Sequence, residues 1–385
     1  MYMFKKLFFS IIILLTITAQ TVSGKGNNPL RDSLEAIMGP LPCLVDLPAM
    51  NIQYRDSFKT ANYTRFNISF TVAENEELPA YLYLPAGFRQ EKYPAMLVLH
   101  STGDIGKKIV DGQGNLENRA IAKELAERGY VVIAPDYPSF GDLKDYDFEK
   151  DRYESGTMKG IFNHIRCVDL LQSLKQVDPD RIGVIGHSLG GHNAMFAAAF
   201  DSRLKVVISS CGWTQFEYYD IGPSSNQYGG KLGPWAQDRY MPLFKTKYQL
   251  KQDKIPFNFD QIIASLAPRI FISNSPLHDL NFDVKGVREG IKKASAVYKD
   301  MGVKDNLKVF YPDAAHDFPP SVRVEIYQLI DQIFENKYDK ITPNDFIKSD
   351  NVGIGITDPE WNHNIHIGRS EICILKRSRY PPFLR

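Results

Sequence analysis

From about residue 66 the chain alternates short apolar runs with longer stretches of helical spacing. Phe66–Val72 and Ala80–Leu84 read as two strands joined by the acidic turn Glu74–Glu77, an antiparallel hairpin. Ala95–Leu99 (AMLVL) and Tyr130–Ala134 (YVVIA) are continuous apolar runs. Such runs are expected of strands buried on both faces. Arg181–Ile185, Leu204–Ser209, Arg269–Ser273 and Leu307–Tyr311 have the same character. Between them, helical spacing predicts helices over 116–128, 158–176, Leu189–Phe200, 286–301 and 321–336. This alternation predicts an α/β fold, with a mostly parallel central sheet and helices on both faces.

Three stretches fall outside the rhythm. Residues 212–265 separate two sheet strands by far more than an ordinary connection and are rich in rings. They are expected to form an inserted lid segment, with Trp213 and Trp235 as candidate substrate-binding residues. Residues 25–60 are polar and read as a lead-in to a catalytic domain spanning 25–340. The tail, 341–385, reads as a C-terminal appendage.

The first 24 residues have a different pattern. Lys5 and Lys6 precede the almost wholly apolar Leu7–Ile17, and Val22, Ser23 and Gly24 follow. This is the layout of a signal peptide, and its apolar run is short for a membrane span. It predicts a secreted or periplasmic protein with no stable membrane span after cleavage.

Composition narrows the function. The chain has 385 residues, 43% hydrophobic, with 46 Lys+Arg against 45 Asp+Glu. That balance excludes a disordered chain and gives no reason to expect a nucleic-acid partner. Cys43, Cys167, Cys211 and Cys373 have neither metal-ligand nor redox-pair spacing. No metal and no cofactor is implied.

The strongest chemical signal is Gly186-His187-Ser188-Leu189-Gly190-Gly191, between an apolar strand and a helical pattern. G-x-S-x-G in strand–turn–helix context lifts a serine hydroxyl clear of the sheet and predicts Ser188 as a nucleophile. A serine needs a base, and the base needs a carboxylate. His316 is the one histidine just after a late strand, in Tyr311-Pro-Asp-Ala-Ala-His316. The loop after Arg269–Ser273 offers Asp279 and Asp283 as the acid. Asp279 is preferred because it is nearer the strand end, and Asp283 is then expected to cap the next helix. Backbone N–H groups near Ser101, in the loop after Ala95–Leu99, and at Leu189 are expected to form an oxyanion hole.

With these motifs (LVLHSTG, ERGYVVIAPDY, DPDRIGVIGHSLGG, SPLHDLNFD and PDAAHDFP), residues 66–336 resemble the α/β-hydrolase superfamily. Within it they are most similar to dienelactone hydrolase, acetyl xylan esterase and prolyl oligopeptidase-type catalytic domains. The resemblance implies Ser188, Asp279 and His316 as a triad. Ser188 stands where dienelactone hydrolases carry cysteine, and Ser101 where many members have glycine after the histidine. The expected activity is hydrolysis of short-acyl carboxylic esters, with a small-molecule or acetylated carbohydrate substrate. A prolyl oligopeptidase-type peptidase is the alternative, and a non-catalytic binding module the remote one.

Overall fold

The computed structural model describes residues 28–88 and 92–336. The expected signal peptide and the appendage 341–385 lie outside the described residues. Nine strands form one sheet: β1 (Gln53–Lys59), β2 (Tyr63–Ala73), β3 (Glu76–Pro85), β4 (Tyr93–Leu99), β5 (Val131–Pro135), β6 (Val177–His187), β7 (Val206–Ser210), β8 (Ile270–Asn274) and β9 (Leu307–Phe310). Their order is β1-β2-β3-β5-β4-β6-β7-β8-β9. The first three strands and the β3–β5 pair are antiparallel, and every pairing from β5 to β9 is parallel.

Eight α-helices complete the described fold: α1 (Pro29–Met38), α2 (Ile121–Glu127), α3 (Gly156–Ser173), α4 (Leu189–Phe200), α5 (Leu243–Thr246), α6 (Phe259–Leu266), α7 (Val284–Asp300) and α8 (Pro320–Ile333). The period-2 alternation of strand side chains divides the core in two. Leu97, Leu99, Val131, Ile133 and Val184 join residues of α1, α3, α4, α6 and α7 in one apolar layer. Met96, Val98, Val132, Ile185 and Ile208 face α2 and α8 in the other. The sheet is therefore covered on both faces, as the alternation predicts. No helix of the described residues is long and apolar enough to cross a membrane.

Two elements were hidden in the polar lead-in. β1 is an edge strand with mostly exposed side chains, so it lacks an apolar signature. α1 begins at Asn28, whose side chain accepts from Arg31 N–H, and buries Leu34, Ile37 and Met38.

Between β4 and β6 the chain changes direction across the sheet, first toward β5 and then toward β7. In open α/β sheets such a reversal of direction, at the strands' C-terminal ends, is where ligand crevices form. A buried ion pair fixes the first loop. The Lys107 ammonium lies 2.5 Å from Asp136 and 2.8 Å from Asp142. Asp136 also accepts from the Lys107 and Asp142 N–H groups, at 2.7 and 3.0 Å. The loop after β4 is thereby tied to the one after β5.

Candidate active site

Ser188 sits between the last residue of β6 and the first of α4, with φ 56° and ψ −118°. A non-glycine residue in that region is strained and persists only where its surroundings enforce it. Here they do. A Cβ on Gly186 would lie 2.2 Å from the Gly190 carbonyl. One on Gly190 would lie 2.0 Å from Leu99 O, and one on Gly191 2.7 Å from Gly212 Cα. The spacing of glycines around Ser188 is thus dictated by backbone touching backbone.

The structure brings Ser188, His316 and Asp279 together. His316 Nε2 lies 2.9 Å from Ser188 Oγ, and His316 Nδ1 lies 2.8 Å from Asp279 Oδ2. The Asp279 side chain is almost wholly buried. Its other oxygen accepts from the Asn281 and Phe282 N–H groups, at 2.9 and 3.1 Å. These bonds lock the carboxylate rotamer, and the Phe282 ring stacks on His316 with centroids 5.9 Å apart. Asp283 instead caps α7 by accepting from Lys285 N–H.

Two neighbours are kept electrically quiet. His187, whose ring centre lies 5.0 Å from that of His316, is held well below its ordinary pKa by burial and then by the positive charge of Arg119. Burial, followed by the charge of Asp279, pushes the Cys211 thiol well up. Cys211, Asp279 and His316 place their donor atoms within 4.8 Å of one another, the one such cluster among the described residues. The acid and imidazole of that cluster are already bonded to each other, and the thiol donates to Asp317 O at 3.2 Å.

Leu189 opens α4, so its N–H is one of the helix-start donors without an intrahelical acceptor. The loop after β4 lies directly on this turn, because Gly190 abuts Leu99 and His100. In that loop Thr102 lines the cleft beside Ser188 and Leu189, while Ser101 is buried behind it.

The cleft has a volume of about 270 Å³. Its far side is built by the 212–265 segment, through Tyr219, Tyr228, Trp235, Tyr240 and Met241. Trp235 occupies the expected position. Trp213 does not, and that expectation is corrected: it is 1% exposed, absent from the cleft wall, and donates from Nε1 to Ser273 Oγ at 3.0 Å. Its ring packs between Phe259, Phe271 and Gly290, so it is a core residue.

His192, Tyr240 and Asn281, none of them among the sequence-predicted site residues, also line the cleft. His192 lies in the first turn of α4, just past the turn that holds Ser188. Its ring packs on Trp235 with centroids 4.7 Å apart. Burial pulls its pKa down to about 3, so it is neutral. Nδ1 lies 3.2 Å from the Gly212 carbonyl, which can only accept, so Nδ1 carries the proton and Nε2 is left as an acceptor.

This combination of sheet, strained serine turn and crevice is that of an α/β hydrolase. Residues 114–325, more than half of the chain, match the model of the alpha/beta hydrolase family, and the chain belongs to that family. YtaP of Bacillus subtilis (strain 168) is 29% identical over 266 residues, 66% of this chain and 83% of that protein. Carbohydrate esterase MZ0003, from an unknown prokaryotic organism, is 27% identical over 221 residues, 53% of this chain and 48% of that protein. The match to MZ0003 thus spans about half of that relative's length. A glucuronoyl esterase from Solibacter usitatus has the same fold, with TM-score 0.58 and 21% identity over 79% of this chain and 92% of that one.

Proposed function

We propose that the protein is a serine hydrolase of short-acyl carboxylic esters, with acetylated carbohydrates as its substrate class. The observation that carries this reading is His316 bridging Ser188 Oγ at 2.9 Å and Asp279 Oδ2 at 2.8 Å. Ser188 Oγ attacks the ester carbonyl as His316 Nε2 takes its proton. Asp279 holds the Nδ1–H tautomer and stabilises the imidazolium. The negative charge that develops on the carbonyl oxygen is met by N–H groups of Leu189 and of the Ser101–Thr102 backbone. One such donor is worth roughly 3 kcal/mol of transition-state stabilisation. As the C–O bond breaks, His316 gives its proton to the leaving alkoxide. Water, deprotonated by His316, then releases the acyl group and restores Ser188.

The substrate class is supported by the ring-lined wall with its interspersed polar groups. Tyr219, Trp235 and Tyr240 offer flat faces, and His192, Gln237 and Asn281 offer hydrogen bonds suited to hydroxyls. The likeness to a carbohydrate esterase points the same way. The test compares p-nitrophenyl esters from acetyl to octanoyl with proline-containing peptide nitroanilides, for wild type and Ser188→Ala. Acetyl-ester turnover that vanishes in the variant, without amide cleavage, is expected. Amide cleavage of equal efficiency would overturn the ester reading in favour of a peptidase.

A further inference from the structure

The 212–265 segment places at the cleft margin a cation for which the ester chemistry has no use. The backbone around Arg239 is clamped to the start of α3. Gly156 N–H donates to Asp238 O at 3.1 Å, and Thr157 N–H to Tyr240 O at 3.0 Å. A Cβ on Gly156 would lie 2.4 Å from Arg239 O. The side chain is held as well. Its guanidinium carbon lies 5.3 Å from the Phe140 ring centre and 5.8 Å from that of Tyr240, and Nε donates to Gln237 Oε1 at 3.1 Å. Arg119, Arg128, Arg203 and Arg323 each pair with a carboxylate. Among the described residues none pairs with Arg239, and its two terminal nitrogens keep their donors free.

The location is specific. Arg239 lines a water-sized cavity that shares Thr157, Leu189 and Tyr240 with the main cleft, and Leu189 directly follows Ser188. The main cleft is lined by no Asp, Glu, Lys or Arg, and its histidine is neutral. An immobilised, unpaired guanidinium therefore borders an uncharged pocket, with no carboxylate there to repel an anion.

We propose that Arg239 binds a carboxylate carried by the substrate, so that the preferred esters are anionic. This rests on the ester-hydrolase reading and narrows its substrate class. A planar guanidinium fixed at one edge presents its remaining N–H groups in the fork that fits a carboxylate. A carboxylate on the acyl or on the alcohol portion satisfies this chemistry, and the test separates the two.

The test measures kcat and KM of wild type, Arg239→Gln and Arg239→Lys on three esters. Phenyl acetate is neutral, 3-acetoxybenzoate carries its carboxylate on the alcohol portion, and phenyl hemisuccinate carries it on the acyl portion. In Arg239→Gln, kcat/KM for at least one anionic ester is expected to fall roughly tenfold or more, chiefly through KM, with phenyl acetate changed less than about twofold. Arg239→Lys should recover part of the loss, and about 0.5 M NaCl should shrink the wild-type advantage. Equal losses on all three esters would reduce Arg239 to a packing residue and overturn the proposal. Binding without turnover is read separately, by 3-acetoxybenzoate quenching of tryptophan fluorescence in Ser188→Ala with and without Arg239→Gln. Arg239-dependent quenching in a protein whose wild type turns over no ester would overturn the ester reading and keep the anion site. Ester turnover indifferent to Arg239 would do the reverse.

Discussion

The two walls of the cleft are made by different means. The wall holding Ser188, backed by His316 and Asp279, is built on parallel strands whose register is fixed by backbone pairing. Ser210 of β7 stands opposite both His187 of β6 and Asn274 of β8, so the loops that follow all leave from one level of the sheet. The facing wall, residues 212–265, has two short helices and scattered single turns. Its shape comes from rings. Phe216 alone meets Trp235, Phe244, Phe257 and Phe259, with centroids 5.2 to 5.7 Å apart. Backbone register places a few side chains regardless of what surrounds them, whereas ring packing places each side chain by all the others. On the proposed function, reaction chemistry belongs to the first wall and recognition to the second.

That division can be broken or sharpened experimentally. The largest effect belongs to the strand-end wall. Ser188→Ala should lower kcat on an acetyl ester by on the order of 10⁵-fold, and Asp279→Asn by about 10³–10⁴-fold. Near-UV circular dichroism should stay unchanged in both, and loss of the tertiary signal would mean that these residues hold the fold. Next come the two tryptophans, one in the core and one in the cleft. Trp213→Ala should cost about 3–5 kcal/mol of unfolding free energy, read from urea midpoints. A cost near zero would return Trp213 to the substrate wall.

A smaller effect concerns acid. Burial draws His164 and His192 down to about 3 and His100 to about 4. Their folded pKa values lie below the unfolded value of about 6.5, so between those limits the unfolded chain binds more protons. Stability is then full above about pH 6.5 and declines as pH falls toward 3, by up to roughly 1.4 kcal/mol per pH unit for each group. His164, buried in α3 with neither ring nitrogen partnered, lies off the cleft wall. His164→Leu should therefore flatten the slope of urea midpoint against pH, and an unaltered slope would assign acid sensitivity elsewhere. The smallest effect is Trp235→Ala, expected to raise KM by about 2- to 10-fold with kcat nearly kept. A fall in kcat with constant KM would show that the ring-built wall takes part in the chemistry after all.

Legibility in the sequence follows the same division. The parallel strands were readable because burial on both faces leaves an uninterrupted apolar run, as in AMLVL. The turn at Ser188 was readable because steric limits on Gly186 and Gly190 act within a few residues or through the neighbouring strand. β1 was not, since QYRDSFK exposes most of its side chains and shows no alternation. Trp213 and Trp235 lie in one ring-rich stretch, and nothing local separates the core indole from the one at the cleft. Which ring reaches the core is decided by partners such as Phe271, more than fifty residues away. The solitude of Arg239 is equally invisible, because it depends on where every acidic residue ends up.

The contact of Gly190 with Leu99 O has a consequence for how such a chain can change over time. At that point the turn holding Ser188 and the loop after β4 are effectively one solid piece, and a single methyl group would wedge them apart. Drift around Ser188 is confined to what a hydrogen atom permits. The ring-built wall carries a veto of the same kind at Gly233, where a Cβ would lie 2.2 Å from Tyr228 O. Both walls thus admit change between such points of backbone contact rather than at them.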